Sequence, residues 1–174
     1  LMGDRTSLTV YSGMTGIAEN AFINVKNRTY TVTAEVELRD DHTSGVIIAQ
    51  AGAFGGWTLY MKNGRPHHEY NYFGLDRTNV AATSALAPGK HTIVYEFIPD
   101  EAKPGTGGKS ILKIDGQLVA EGHIPKTEPF AFSGDEGGRP WGIGRHSSAA
   151  RRSSGSSASG MRVQSAQRVP SSFT

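Results

Sequence analysis

The stretch WTLYMKNGRPHHEYNY, Trp57 to Tyr72, decides how this chain folds. At its centre, Asn63-Gly64 tolerates positive φ at both positions, as a two-residue type I′ hairpin turn requires. A turn of that length sets the register. Lys62 then faces Arg65, Tyr60 faces His67 and Thr58 faces Glu69, while Met61 with Pro66, Leu59 with His68 and Trp57 with Tyr70 share the opposite side. The second set is the more apolar and is predicted to face the core.

Working outward, Tyr30 to Leu38 alternates Tyr, Val, Ala, Val and Leu on one side with Thr and Glu on the other, the period of a half-buried strand. His91 to Ile98 repeats the pattern with Ile93, Tyr95 and Phe97 on one side. Ser110–Ile114 and Gln117–Gly122 flank Asp115-Gly116, a second dipeptide with I′ chemistry. Val46 to Ala51 is a short apolar run and predicts a strand covered on both faces. Pro99 to Gly108, rich in Pro and Gly, is predicted to be irregular. No segment keeps a helical period over three turns. Short strands with turn signals at intervals of roughly ten residues predict an all-β chain, an antiparallel β-sandwich.

The chain has 174 residues, enough for one core, and no cysteine, which excludes disulfides, thiolate metal sites and cysteine nucleophiles. Residues 1–137 carry 12 basic and 16 acidic side chains, a charge of −4, whereas residues 138–174 carry six arginines and no acid. A mildly acidic body argues against a specific nucleic-acid partner. The opening Leu1-Met2-Gly3-Asp4 has no basic n-region or long apolar run, so neither a signal peptide nor a membrane span is expected, and the compartment stays open. The change in texture divides the chain into a sandwich domain, 1–137, and a Ser/Arg-rich tail, 138–174, expected to be irregular or only partly docked. Within the tail, Met161 to Val163 is the place suited to pairing with an open sheet edge.

Several residue groups invite a chemical reading. Glu35 and Glu37 point the same way from one strand, as a glycosidase acid pair would, but alternating Thr and Glu suit a wet sheet face and a third acidic position is missing. His67 and Glu69 share a face and would need a third ligand to hold zinc; His68 projects to the other side and is read as a core histidine with a hydrogen-bond partner. Gly52, Gly55 and Gly56 lack the helix start and Lys-Ser/Thr pair of a phosphate loop. No catalytic residue, metal ligand or cofactor is therefore assigned. Trp57, Tyr70 and Tyr72 are expected in the core, with Leu59, Val32, Val36, Tyr95 and Phe97. Tyr60, Arg65, His67, Glu69 and Asn71 form the polar face of the hairpin and are the candidates for contact with a ligand or partner.

The segment GAFGGWTLYMKNGRPHHEYNYFGLDR, Gly52 to Arg77, resembles the C-terminal domain of large bacterial arylsulfatases. The resemblance extends in order through VKNRTYTVTAEVEL at Val25–Leu38, PGKHTIVYEF at Pro88–Phe97, LKIDGQLVAEG at Leu112–Gly122 and PFAFSGDE at Pro129–Glu136. It implies a concanavalin-A-like or laminin-G-like jelly-roll sandwich that follows a sulfatase domain. The formylglycine motif Cys/Ser-X-Pro-X-Arg on which that family's hydrolysis depends is absent, so the resemblance implies kinship without activity. From Gly138 the family pattern stops. A frame change near Gly137 is the expectation, and a tail that failed to supply the last strand would leave a sheet edge open to self-association. The favoured reading is a noncatalytic accessory domain meeting a sulfatase catalytic domain; the alternative is a free lectin-like carbohydrate-binding module, and a sandwich-fold glycoside hydrolase comes last.

Overall fold

The computed structural model describes residues 6–14, 16–52 and 54–132, and the backbone of 156–166. Both predicted turns form. Asn63 and Gly64 have φ of 50° and 69°, Asp115 and Gly116 have 51° and 83°. They join β4 (Gly55–Lys62) to β5 (Arg65–Tyr72) and β8 (Thr106–Ile114) to β9 (Gln117–Lys126). The β4–β5 register is the one the turn dictates, from Lys62 opposite Arg65 to Trp57 opposite Tyr70. A third turn of the same geometry, with Phe73 at 51° and Gly74 at 72°, leads from β5 into β6 (Asp76–Ala81). An aromatic L-residue in that left-handed region costs roughly 1 kcal/mol or more, which Asn and Asp avoid in part.

The remaining strands are β1 (Ser7–Val10), β2 (Thr29–Leu38), β3 (Gly45–Gly52), β7 (Gly89–Pro99) and β10 (Ser156–Ala166), with one short 3-10 turn at Glu19–Ala21. They make two antiparallel sheets, β1-β10-β2-β7-β8-β9 and β3-β4-β5-β6. This is a sandwich with the core between the sheets. From one sheet Tyr30, Val32, Ala34, Val36, Ile93, Tyr95, Phe97 and Leu112 point inward; from the other come Ile48, Trp57, Leu59, Met61 and Tyr70. Glu35 and Glu37 stand exposed on the outside of β2.

Two strand expectations need correction. Val46–Ala51 lies in β3, at the edge of the smaller sheet, and is covered on one face only, with Val46 and Ala51 exposed on the other. Its run is apolar because a bulge between Val46 and Ile48 inserts an extra residue, so Ile47 and Ile48 are both buried while Val46 is exposed. Within the predicted irregular stretch, Thr106–Gly108 is strand. A Cβ on Gly108 would collide with the Ile98 carbonyl and the Phe97 ring, so glycine here lets the sheet close around an aromatic core residue.

In the tail, Ser156–Ala166 lies between β1 and β2, pairing Met161 with Ala34 and with Val10. The edge of β2 is thus occupied, and the condition for self-association there is not met. The proposed frame-change point near Gly137 lies outside the described residues, as does the rest of the tail.

His68 is buried as expected but differs in its surroundings. Its ring stacks on Tyr95 with centroids 3.5 Å apart and 10° between planes, and on Trp57 at 6.1 Å and 22°. Neither ring nitrogen has a hydrogen-bond partner among the described residues. Burial pulls its pKa down from 6.5 to about 3. The unfolded chain therefore binds a proton that the folded chain refuses, so stability is complete above about pH 6.5 and falls as pH drops toward 3. Between pH 7 and pH 5 this loss is on the order of 2 kcal/mol. In urea unfolding at those two pH values, His68→Phe is expected to lose less stability than the parent; equal losses would show that His68 does not carry the acid sensitivity.

Candidate functional site

Because side chains alternate, the turn that sends Trp57, Leu59, His68 and Tyr70 inward sends Thr58, Tyr60, His67 and Glu69 outward. There Tyr60 and His67, directly opposite each other, stack at 5.0 Å with 19° between rings. The Tyr60 hydroxyl lies 3.5 Å from Glu69 Oε2, to which it donates, and accepts from the Asn79 amide at 3.1 Å. His67 Nδ1 is 3.2 Å from Asn79 Oδ1, and since that oxygen only accepts, Nδ1 carries the proton. Arg77 donates to Glu69 Oε1 at 3.4 Å and neutralises it. Burial first, and then the Glu69 charge, push the Tyr60 phenol above its usual pKa, partly offset by the Asn79 bond.

Of the five candidates from sequence, the structure brings together Tyr60, His67 and Glu69. Asn71 sits on the same face, but its Oδ1 accepts the Gly74 N–H at 3.0 Å and so serves the turn. Arg65 lies at the other end of β5, opposite Lys62. Sequence reasoning missed Asn79 and Arg77, both on β6. That strand pairs with β5 from Tyr72–Asp76 to His67–Ala81, yet its sequence DRTNVA buries only Val80 and follows a Phe-Gly turn, which is a weak hairpin signal.

Other locations are less suited to a ligand. A cavity of about 10 Å³ between the sheets, lined by Tyr30, Trp57, Tyr70, Phe97, Glu128 and Phe132, has room for about one water. The remaining described histidines lie apart: His42 is beside Asp41, His91 bonds Asp115 and the Ala87 carbonyl, and His123 bonds Asp100. Among the described residues no three His, Asp or Glu side chains gather as metal ligands.

Comparison with known proteins bears on the fold. No protein-family model matches the sequence, and no curated protein matches it. Among solved structures, the mouse laminin α1 chain, domains LG4-5, superposes with a TM-score of 0.52 at 18% identity, covering 99% of this chain and 44% of that one. The botulinum neurotoxin serotype C1 binding domain superposes with a TM-score of 0.53 at 10% identity, covering 91% and 36%. The chain thus spans less than half the length of these neighbours. The fold is a laminin-G-like jelly-roll sandwich, and nothing in these comparisons links it to arylsulfatases.

The site's electrostatics are open to direct measurement. In difference titrations at alkaline pH, referenced to Tyr60→Phe, the Tyr60 phenol is expected to ionise at lower pH in Glu69→Gln than in the parent. An unchanged midpoint would show that Glu69 does not act on it.

Proposed function

We propose that this chain is a noncatalytic, lectin-like binding module that takes a glycan on the outer face of the β3-β4-β5-β6 sheet. The observation that carries the reading is the Tyr60-His67-Glu69-Asn79-Arg77 network, which joins three adjacent strands on a partly exposed face. A flat ring beside carboxylate, amide and guanidinium groups matches the two surfaces of a sugar, apolar C–H faces and hydroxyl edges. Strands hold these groups, so little ordering accompanies binding. The toxin neighbour, whose description is a binding domain, agrees in direction.

Among the described residues, the carboxylates considered for hydrolysis are not arranged for it. Glu35 and Glu37 face solvent on the other sheet, and Glu69 is paired with Arg77. The narrower reading, an accessory domain that packs on a sulfatase catalytic domain, rests on the sequence resemblance and would use the same face.

A glycan array that includes sulfated sugars, probed with the full chain, tests the proposal. Tyr60→Ala and His67→Ala are each expected to leave the melting temperature within about 2 °C, as surface changes do, and to weaken glycan retention roughly tenfold. Retention equal to that of the parent in both variants would remove this face from consideration. Retention of no glycan, together with capture of an isolated sulfatase domain, would favour the accessory reading.

A further inference from the structure

The outer face continues beyond the network. Along β4 and β5 the outward pairs run from Tyr60–His67 through Thr58–Glu69 to Gly56–Asn71. Beyond them, at the end of the sheet, lie Phe54 and Phe73, with ring centroids 5.9 Å apart, and Tyr72 packs nearly perpendicular to Phe73 with centroids 4.8 Å apart. Phe54 and Phe73 are 40% and 42% exposed, and neighbouring Leu75 is 81% exposed.

Two backbone features shape this end. Phe73 takes the first position of a type I′ turn, which the chain fills with Asn63 and Asp115 at its other two such turns. A bulky ring is a poor choice for that backbone conformation, and at 42% exposure burial compensates for it little. Gly56, in turn, has φ of 135°, and a Cβ there would collide with the Gln50 carbonyl and with Ala51. The floor between Thr58 and the Phe54-Phe73 pair therefore carries no side chain on β4. With Ala49 and Ala51 on the adjoining strand, the β3 side of this surface carries only small side chains, while Asn71 stands on the β5 side.

We infer that Phe73 and Phe54 form a second sugar-stacking subsite, so that the ligand is an extended, uncharged oligosaccharide lying along β4 and β5. This rests on the glycan reading given above. Tyr60 and Phe54 are six positions apart, as are His67 and Phe73, about 20 Å along an extended chain, the length of roughly four sugar rings. A mono- or disaccharide at Tyr60 would not reach Phe73. The pairing of Glu69 with Arg77 leaves no net charge in the middle of the path, which suits hydroxyl groups rather than anions. The strained turn then has a use: it lifts an aromatic ring to the point where the sugar chain leaves the sheet.

The test uses the full chain and size series, from two to six units, of gluco-, manno- and chito-oligosaccharides in calorimetric titration. Phe73→Asn, which gives the turn its preferred residue, is expected to raise the melting temperature by a few degrees. It is also expected to weaken hexasaccharide binding about five- to tenfold and to leave disaccharide binding unchanged. Tyr60→Ala is expected to weaken both lengths. Hexasaccharide binding that survives Phe73→Asn while Tyr60→Ala abolishes it would overturn the second subsite and leave the first standing. Loss of both lengths in Phe73→Asn would contradict separate subsites. No binding of any series by the parent chain would defeat the underlying glycan reading itself.

Discussion

The register at Asn63-Gly64 is the constraint on which the rest of the molecule depends. With a period of two along each strand, a slip of β5 by one residue against β4 would bring His67 and Glu69 into the interior and expose His68 and Tyr70. The turn and the core therefore specify the same answer independently. The turn accepts positive φ at two successive positions, and the interior accepts only one of the two faces. Agreement between a local preference and a nonlocal one is what gives a sequence a single ground state.

That inward face feeds an unusually aromatic interior. Tyr30 lies 5.6–5.8 Å from the rings of Trp57, Tyr95 and Phe97, and His68 stacks on Tyr95 and on Trp57. Large flat groups fill the space between two sheets efficiently, but their polar ends need partners. Ser110 donates to the Tyr95 hydroxyl at 3.0 Å, and the Tyr70 hydroxyl accepts the Glu128 N–H at 2.8 Å. His68 has no such partner and remains neutral, which ties the stability of the sandwich to pH.

The outer face is organised by the same strands with a different purpose. Its polar groups bond one another across β4, β5 and β6, with His67 Nε2 alone of the network's ring nitrogens left without a partner, so most of them hold their positions without a ligand. Rigid presentation of a ring and several hydrogen-bonding groups is a property of binding surfaces; nothing in the arrangement supplies a nucleophile with a base to activate it. Phe73 extends the argument from residues to backbone, since an exposed aromatic in a left-handed turn departs from the choice made at Asn63 and Asp115.

Much of this was legible before any coordinates. Alternation in Tyr30–Leu38, the two I′ dipeptides and the division of the hairpin into apolar and polar faces are short-range properties, set by steric preference within a few residues, and they determined the β class, the β4–β5 register and three of the site residues. What lay beyond reach depended on partners distant in the chain. The bulge that turns Ile47 inward, the strand nature of Thr106–Gly108, the place of Ser156–Ala166 beside β2, the unpartnered stack around His68 and the approach of Asn79 and Arg77 to Tyr60 and Glu69 were decided only by tertiary structure. The physical reason is that neighbours across a sheet are chosen by packing and backbone pairing between segments, and a weakly patterned edge strand such as Asp76–Ala81 carries almost no local record of the neighbour it joins.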